Sequence, residues 1–225
     1  MTHYWHSIEK QWIEDHSRDL TSFLSITEAT HAFVASVAQS PDFVSRPVSA
    51  VTTVERLLIR RLGEELRGVE LLAANSHGFQ AISAAANLFE QSHFLTYASS
   101  TVQVAQKYLE TDDPKKGIAS VKDVVTASGK LRGWDSLRID EEYAKYSLLC
   151  GFKHNNGFMQ RVLKLPRDPD LVLGQLAISD SVWFVLTTMG LLTVTSLPAK
   201  ASTPFLVECN RLLDVFNGLP RIRIS

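Results

Sequence analysis

The chain has 225 residues, 45% of them apolar and 21% charged, which is enough to bury one sizeable core and too apolar for a disordered segment. Lys plus Arg (23) against Asp plus Glu (24) leaves a net charge of -1, so no global field draws the chain to nucleic acid or anionic lipid. The two cysteines, Cys150 and Cys209, lie far apart and outside any Cys-x-x-Cys pair, which argues against a disulfide framework and suits a reducing cytoplasm.

The opening Met-Thr-His-Tyr-Trp-His lacks the basic flank and apolar run of a secretory signal, so export is not expected. Tyr4 to Asp15 reads as a helix with Trp5, Ile8 and Trp12 on one face, and Leu20 to Ala38 as a second with Leu24, Thr27, His31 and Ala35 near one stripe. Ser40-Pro41 and Arg46-Pro47 mark a loop, because each proline pushes its predecessor out of the helical region. From Val48 to about Ser99 no proline occurs, and one long helix or two stacked ones are expected, with any break at Gly63 or Gly68 rather than Gly78. Thr111-Asp112-Asp113-Pro114 opens a helix over about 115–131, followed by an irregular stretch around Gly133, Trp134 and Asp135. Asp140 then caps a helix to about Phe152, which Asn155-Asn156-Gly157 ends.

Pro166 and Pro169 bound the next helix, Asp170 to Leu197, which contains the most apolar run of the chain. The segment Ser181–Leu197 is about the minimum length for a membrane span. Its four threonines, Asp180 just before it and Pro198 just after it favour a buried central helix over a membrane role. Thr203-Pro204 opens a last helix to Asn217, closed by Gly218, and the alternating 221–224 reads as an exposed tail. The sum is an all-α, single-domain bundle of about seven to eight helices over residues 1–225. Within it, 1–40 form an N-terminal helical pair, 48–198 the core bundle with its long apolar central helix, and 199–225 a C-terminal helix and tail.

Several chemistries lack their motifs. No Gly-x-Gly-x-x-Gly or Walker A run occurs, and Gly63 to Gly68 lacks the following Lys and Ser/Thr. No Gly-x-Ser-x-Gly elbow is present. His3-x-x-His6 and Cys150-x3-His154 are the only close ligand pairs, and neither reaches the three or four convergent donors of a zinc site, so neither a metal nor a cofactor is expected.

Two helices carry polar groups where apolar ones are the rule. Asn87, Glu90, His93 and Tyr97 form one stripe behind Ala84-Ala85-Ala86, which lets a neighbouring helix approach, and Glu90 is the charge to explain. On the second helix Tyr143, Tyr146 or Ser147, Cys150 and His154 share a face, with His154 near a helix C-terminus that favours an imidazolium. A Glu90–His154 pair is the sharpest expectation. It is either a buried network ordering two helices, the reading preferred here, or an acid/base pair with Tyr146 and Lys153 nearby.

The run Ala84-Ala85-Ala86-Asn87-Leu88-Phe89-Glu90, with Trp134 and Tyr143-x-x-Tyr-Ser-Leu-Leu-Cys-Gly-Phe-Lys-His154 downstream, resembles an uncharacterised bacterial all-helical family over roughly residues 65 to 165. Asn87 stands where that family has an arginine, and Glu90 and His154 match. The family is loosely similar to the HEPN bundles, many of them dimeric ribonucleases of toxin or phage-defence systems that use Arg, four to six residues, then His. None of the seven histidines here has an arginine at that distance upstream, so the resemblance implies a HEPN-like bundle without that catalytic pair.

Arg56, Arg60 and Arg67 lie near one helix face, as phosphate contacts with RNA would need. Glu55, Glu64, Glu65 and Glu70 interleave with them, and pairs such as Arg60–Glu64 and Arg61–Glu65 make a solvated, self-compensated face the simpler reading. The expected function is a helical interaction or regulatory module of a bacterial cell, tied to stress or phage defence by the resemblance alone. A homodimer through Trp5, Trp12, Trp183 and Val182 to Leu197, or another protein partner, would suit it. The alternative is a HEPN-like enzyme acting on RNA or a nucleotide, with His154 as its acid/base.

Overall fold

The computed structural model describes residues 2–111, 119–153, 162–164, 166–220 and 222. Among them lie nine helices and no strand: α1 Thr2–Gln39, α2 Pro41–Val44, α3 Ala50–Ala74, α4 Gly78–Ala98, α5 Val102–Glu110, α6 Val121–Leu131, α7 Ser136–Lys153, α8 Pro169–Ser196 and α9 Ala199–Asn217. The protein is an all-α bundle built on a long apolar helix, as its periodicity implies.

Helix α8 is that helix. It is long and apolar enough to cross a membrane by length and composition, and it packs against α1, α3, α4 and α9. Three of its threonines are satisfied within the helix: Thr187 donates to the Trp183 carbonyl, Thr193 to Met189 and Thr195 to Leu191. Such back-bonding lets threonine sit in an apolar helix without an unmet donor. Helix α4 packs on both α8 and α3, and its Ala81, Ala85 and Ala86 are buried. At the start of α4 the approach to α8 is close. A Cβ on Gly78 would stand 2.1 Å from the Asp170 carbonyl oxygen, so only glycine fits. Asp170 in turn accepts from the Phe79 amide (3.4 Å), and α8 thereby supplies the cap that His77 does not give α4.

Several boundaries depart from the pattern in the sequence. Helix α1 is continuous, because His16 to Asp19 contain neither proline nor glycine to break it. Its buried face is Leu20, Phe23, Ile26, Thr27, Thr30, Phe33, Val34 and Val37; of the expected stripe Thr27 belongs to it, while Leu24 and His31 are half-buried and Ala35 is exposed. The long stretch breaks at Asn75-Ser76-His77, where Ser76 takes φ 60°, and not at Gly63 or Gly68, which stay inside α3. A glycine costs a helix about 1 kcal/mol, less than packing returns. The break comes where α4 must meet Asp170.

The loop at Ser40 holds a single helical turn, α2, whose cap Ser40 accepts from the Phe43 amide. Helix α5, capped by Thr101, is an element the periodicity did not single out. Helix α7 begins at Ser136, four residues before Asp140, since the Asp135 carboxylate already accepts from the Arg138 amide at 2.8 Å. Helix α9 begins at Ala199, so Pro204 lies inside it. There Ser202 and Thr203 hydroxyls donate to the Ala199 carbonyl, and the carbonyl that Pro204 cannot serve belongs to exposed Lys200. Residues 112–118 and most of 221–224 lie outside the described residues.

Candidate functional site

The end of α6 sets the geometry of the site. Arg132 caps the helix, and Gly133, at φ 73°, turns the chain so that the Trp134 amide reaches back to the Gly129 carbonyl (2.9 Å). That left-handed step suits glycine. Trp134 is thereby folded onto His93 of α4, edge to face at 6.2 Å, while Arg132 and Arg138 lie over its ring at 5.2 and 5.5 Å.

His93, not Glu90, is the buried polar group at the centre. Its Nδ1 lies 2.5 Å from the Ser128 hydroxyl of α6 and its Nε2 3.5 Å from Glu142 Oε1 of α7. Burial lowers the His93 pKa, with Arg132 adding to the effect and Glu142 opposing it. Burial also pushes the Glu142 carboxyl up, but the hydrogen bond from His93 and the charges of Lys145 and Arg138 outweigh it and the pKa is lowered. A neutral imidazole therefore directs Nε2–H to an ionised carboxylate and turns the Nδ1 lone pair to Ser128. Arg138 completes the pairing of Glu142 at 3.7 Å.

Serine, histidine and carboxylate in this order have the roles of a hydrolytic triad. The surroundings deny them that chemistry. Ser128 is 0%, His93 1% and Glu142 3% exposed. Ser128 sits inside α6, where the following amides are bonded within the helix and form no oxyanion hole. The α6–α7 crossing closes over it so tightly that a Cβ on Gly129 would lie 2.6 Å from Ile139.

The residues singled out in the sequence divide. Glu90 and Tyr146 do come together, the phenol donating to Glu90 Oε1 at 2.6 Å while its ring stacks on Phe89 at 5.1 Å. Burial and the neighbouring Cys150 and Glu90 raise the Tyr146 pKa far above its ordinary value, so this phenol stays a hydrogen-bond donor. His154 lies outside the described residues, and Lys153 is described only as the last residue of α7. The expected Glu90–His154 pair therefore falls outside the described residues as well. The stripe on α4 does not share one environment: Asn87 is exposed, Glu90 and Tyr97 are half-buried, and His93 is buried. The side chains of His3 and His6 are likewise outside the description, and among the described residues no three His, Cys, Asp or Glu side chains converge as a metal site.

Four further groups escaped the sequence reading. Arg132 donates to the Thr96 and Thr188 hydroxyls (3.0 and 2.8 Å), and burial lowers its pKa to about 10. Lys145 pairs with Asp180 at 2.8 Å and lies over the Phe184 ring. Glu142 had a signal, four residues before Tyr146 on the same face, but Asp140-Glu141-Glu142 reads as a helix cap. Ser128 had none, since it is contributed by another helix.

The arginine face is occupied by its own chain. Arg56 donates to the Val44 and Arg46 carbonyls, Arg60 pairs with Glu64 and Arg67 with Glu70, whereas Arg61 and Glu65 do not pair. Glu55 is no surface charge: it is buried, bonded to Arg46 and accepting from Ser196 at 2.7 Å. No family model, curated protein or solved structure matches the chain.

Proposed function

We propose that the chain is a helical interaction or regulatory module of the bacterial cytoplasm, acting through a protein partner or a second copy of itself rather than by catalysis. The observation that carries this reading is the sealing of Ser128, His93 and Glu142, three groups in the order of a hydrolytic triad with no route for a substrate. Buried and mutually bonded, they lock α4, α6 and α7 in one arrangement, the role of a satisfied polar network. Both cysteines are free, in keeping with a reducing compartment. A link to stress or defence rests on the family resemblance.

A fluorophosphonate probe tests the reading directly. The folded protein leaves Ser128 unlabelled, as peptide mass spectrometry reads, and native mass spectrometry of protein taken from its own cells gives a dimer or a complex with another polypeptide. Stoichiometric labelling at Ser128, or a chain that stays monomeric and alone, would overturn it.

A further inference from the structure

The buried polar cluster fastens one part of the bundle to the rest. Helices α6 and α7, joined by the short turn at 132–135, pack on each other and on α4. They bring few apolar side chains into the core. Val124, Val125, Ile139 and Leu149 are buried, whereas α3 alone buries Leu58, Ile59, Leu62, Leu66 and Val69 among others. Polar ties make up the difference. Ser128 and Glu142 hold His93 of α4, Tyr146 donates to Glu90 of α4, Arg132 donates to Thr96 of α4 and Thr188 of α8, and Lys145 pairs with Asp180 of α8. A unit with few buried apolar contacts opens at lower cost than the core on which it rests.

Among these fasteners His93 is the residue type that changes charge between about pH 5 and 8. The charges around it come from every side: Arg132 at the end of α6, Glu142 on α7 with Arg138 and Lys145 beyond it, Asp180 on α8 against Lys145, and Glu90 one turn earlier on α4. A proton on Nδ1 ends its role as acceptor for Ser128, and the Ser128 hydroxyl has a second acceptor in the Val125 carbonyl at 3.2 Å. The packed cluster can thus hold an imidazolium, but a buried one beside the Arg132 guanidinium. Once α6 and α7 leave α4, the same imidazolium meets water. Burial lowers the His93 pKa in the packed state, so release takes up a proton and is favoured as the pH falls below the ordinary 6.5. Glu142, lowered from 4.5, acts in the same sense at lower pH. Asp180 opposes release, because burial raises its carboxyl against the pull of Lys145.

We propose that α6 and α7 form an acid-released flap: in mild acid the two helices leave α4 and α8 as one unit, while α1, α3, α4, α8 and α9 stay packed. At neutral pH the satisfied cluster holds the flap shut. Release uncovers His93 and also Phe89, which loses the Tyr146 ring stacked on it at 5.1 Å. The flap needs neither partner nor substrate, so it stands or falls independently of the module reading.

Hydrogen exchange of the full chain at about pH 7.5 and 5.5, read by mass spectrometry of peptides and corrected for intrinsic rates, tests it. Peptides from α6 and α7 are expected to lose at least about threefold in protection at the lower pH, and those from α3 and α8 less than about twofold. Asp180→Asn removes the opposing carboxyl and raises the loss in α6 and α7 to about tenfold, the limit for uptake of one proton by a histidine over this interval. His93→Gln keeps a donor for Glu142 but does not titrate, and in the Asp180→Asn background it brings the loss below about twofold. If His93→Gln does not fold by circular dichroism, Asp180→Asn carries the test alone, and a loss in its α6 and α7 no greater than in its α3 and α8 sinks the flap. No loss in α6 and α7, an equal loss in all helices, a loss led by α1, where His31 lies, or a pH response unchanged by His93→Gln would each overturn the proposal.

Discussion

Two histidine–glutamate contacts on opposite sides of the same bundle have different fates. His93 and Glu142 are almost wholly buried, and Ser128 and Arg138 take up their remaining capacity. His31 and Glu70 are partly buried, sit 3.7 Å apart, and leave the Glu70 Oε2, His31 Nε2 and Trp12 Nε1 atoms unmet beside a cavity. The first cluster resembles an active site by residue type and is closed by packing. The second has no catalytic motif, yet three of its own polar atoms lack a hydrogen bond. Residue identity alone therefore misleads about how well a buried cluster is satisfied; the difference lies in which atoms have partners.

Mutations separate the two. The largest effect is expected from His93→Ala, which opens a cavity and strands Glu142 and Ser128 in the core: a loss of about 3–5 kcal/mol in urea unfolding. A loss below about 1 kcal/mol would mean the cluster does not hold the helices together. Next, Arg132→Met keeps the apolar stem but removes the donor shared by Thr96 and Thr188, and should cost about 1–3 kcal/mol by the same assay.

Acid acts on the two histidines in the same direction, since burial lowers the pKa of both. The folded-state pKa of His93 lies below its unfolded value of 6.5, so the unfolded chain takes the proton first. Stability is full above pH 6.5 and falls as the pH drops below it, by at most about 1.4 kcal/mol per pH unit for this one group. Glu142, whose pKa is lowered from 4.5, adds a further loss as the pH falls below that value. His93→Gln should flatten the slope between about pH 6.5 and 5, and an unchanged slope would assign it to His31, which is lowered in the same direction. The smallest effect is expected from Glu70→Gln, which relieves a carboxylate oxygen that has no hydrogen bond: a change within about 0.5 kcal/mol of wild type. A destabilisation as large as that of His93→Ala would erase the contrast between the two sides.

Much of the fold was legible in the chain before any coordinates. The 3.6-residue periodicity, the near absence of alternation and the apolar run from Asp170 to Leu197 marked an all-α bundle around one central helix, because burial of an apolar face is a local pattern. The caps at Ser49, Ser120 and Asp168 rest on local contacts too, although none of them stood out in the chain. The α3–α4 break was not legible at its true place, because it answers to Asp170, nearly a hundred residues away. Of the candidate site, Glu90 and Tyr146 stood out each on its own helix, but the expected partner of Glu90 was His154, and the Tyr146–Glu90 hydrogen bond was not anticipated.

The sequence by itself determined the helical class, the central helix and the candidate helices α4 and α7, all properties of neighbouring residues and their spacing. Only the tertiary structure decided that His93 rather than Glu90 is the buried polar centre. It alone joined His93 to Ser128 and Glu142, and it alone left Glu70 and Trp12 unmet beside a cavity. These are matters of which side chains from three or four helices meet, and of whether water can reach them. No periodicity along one helix carries that information.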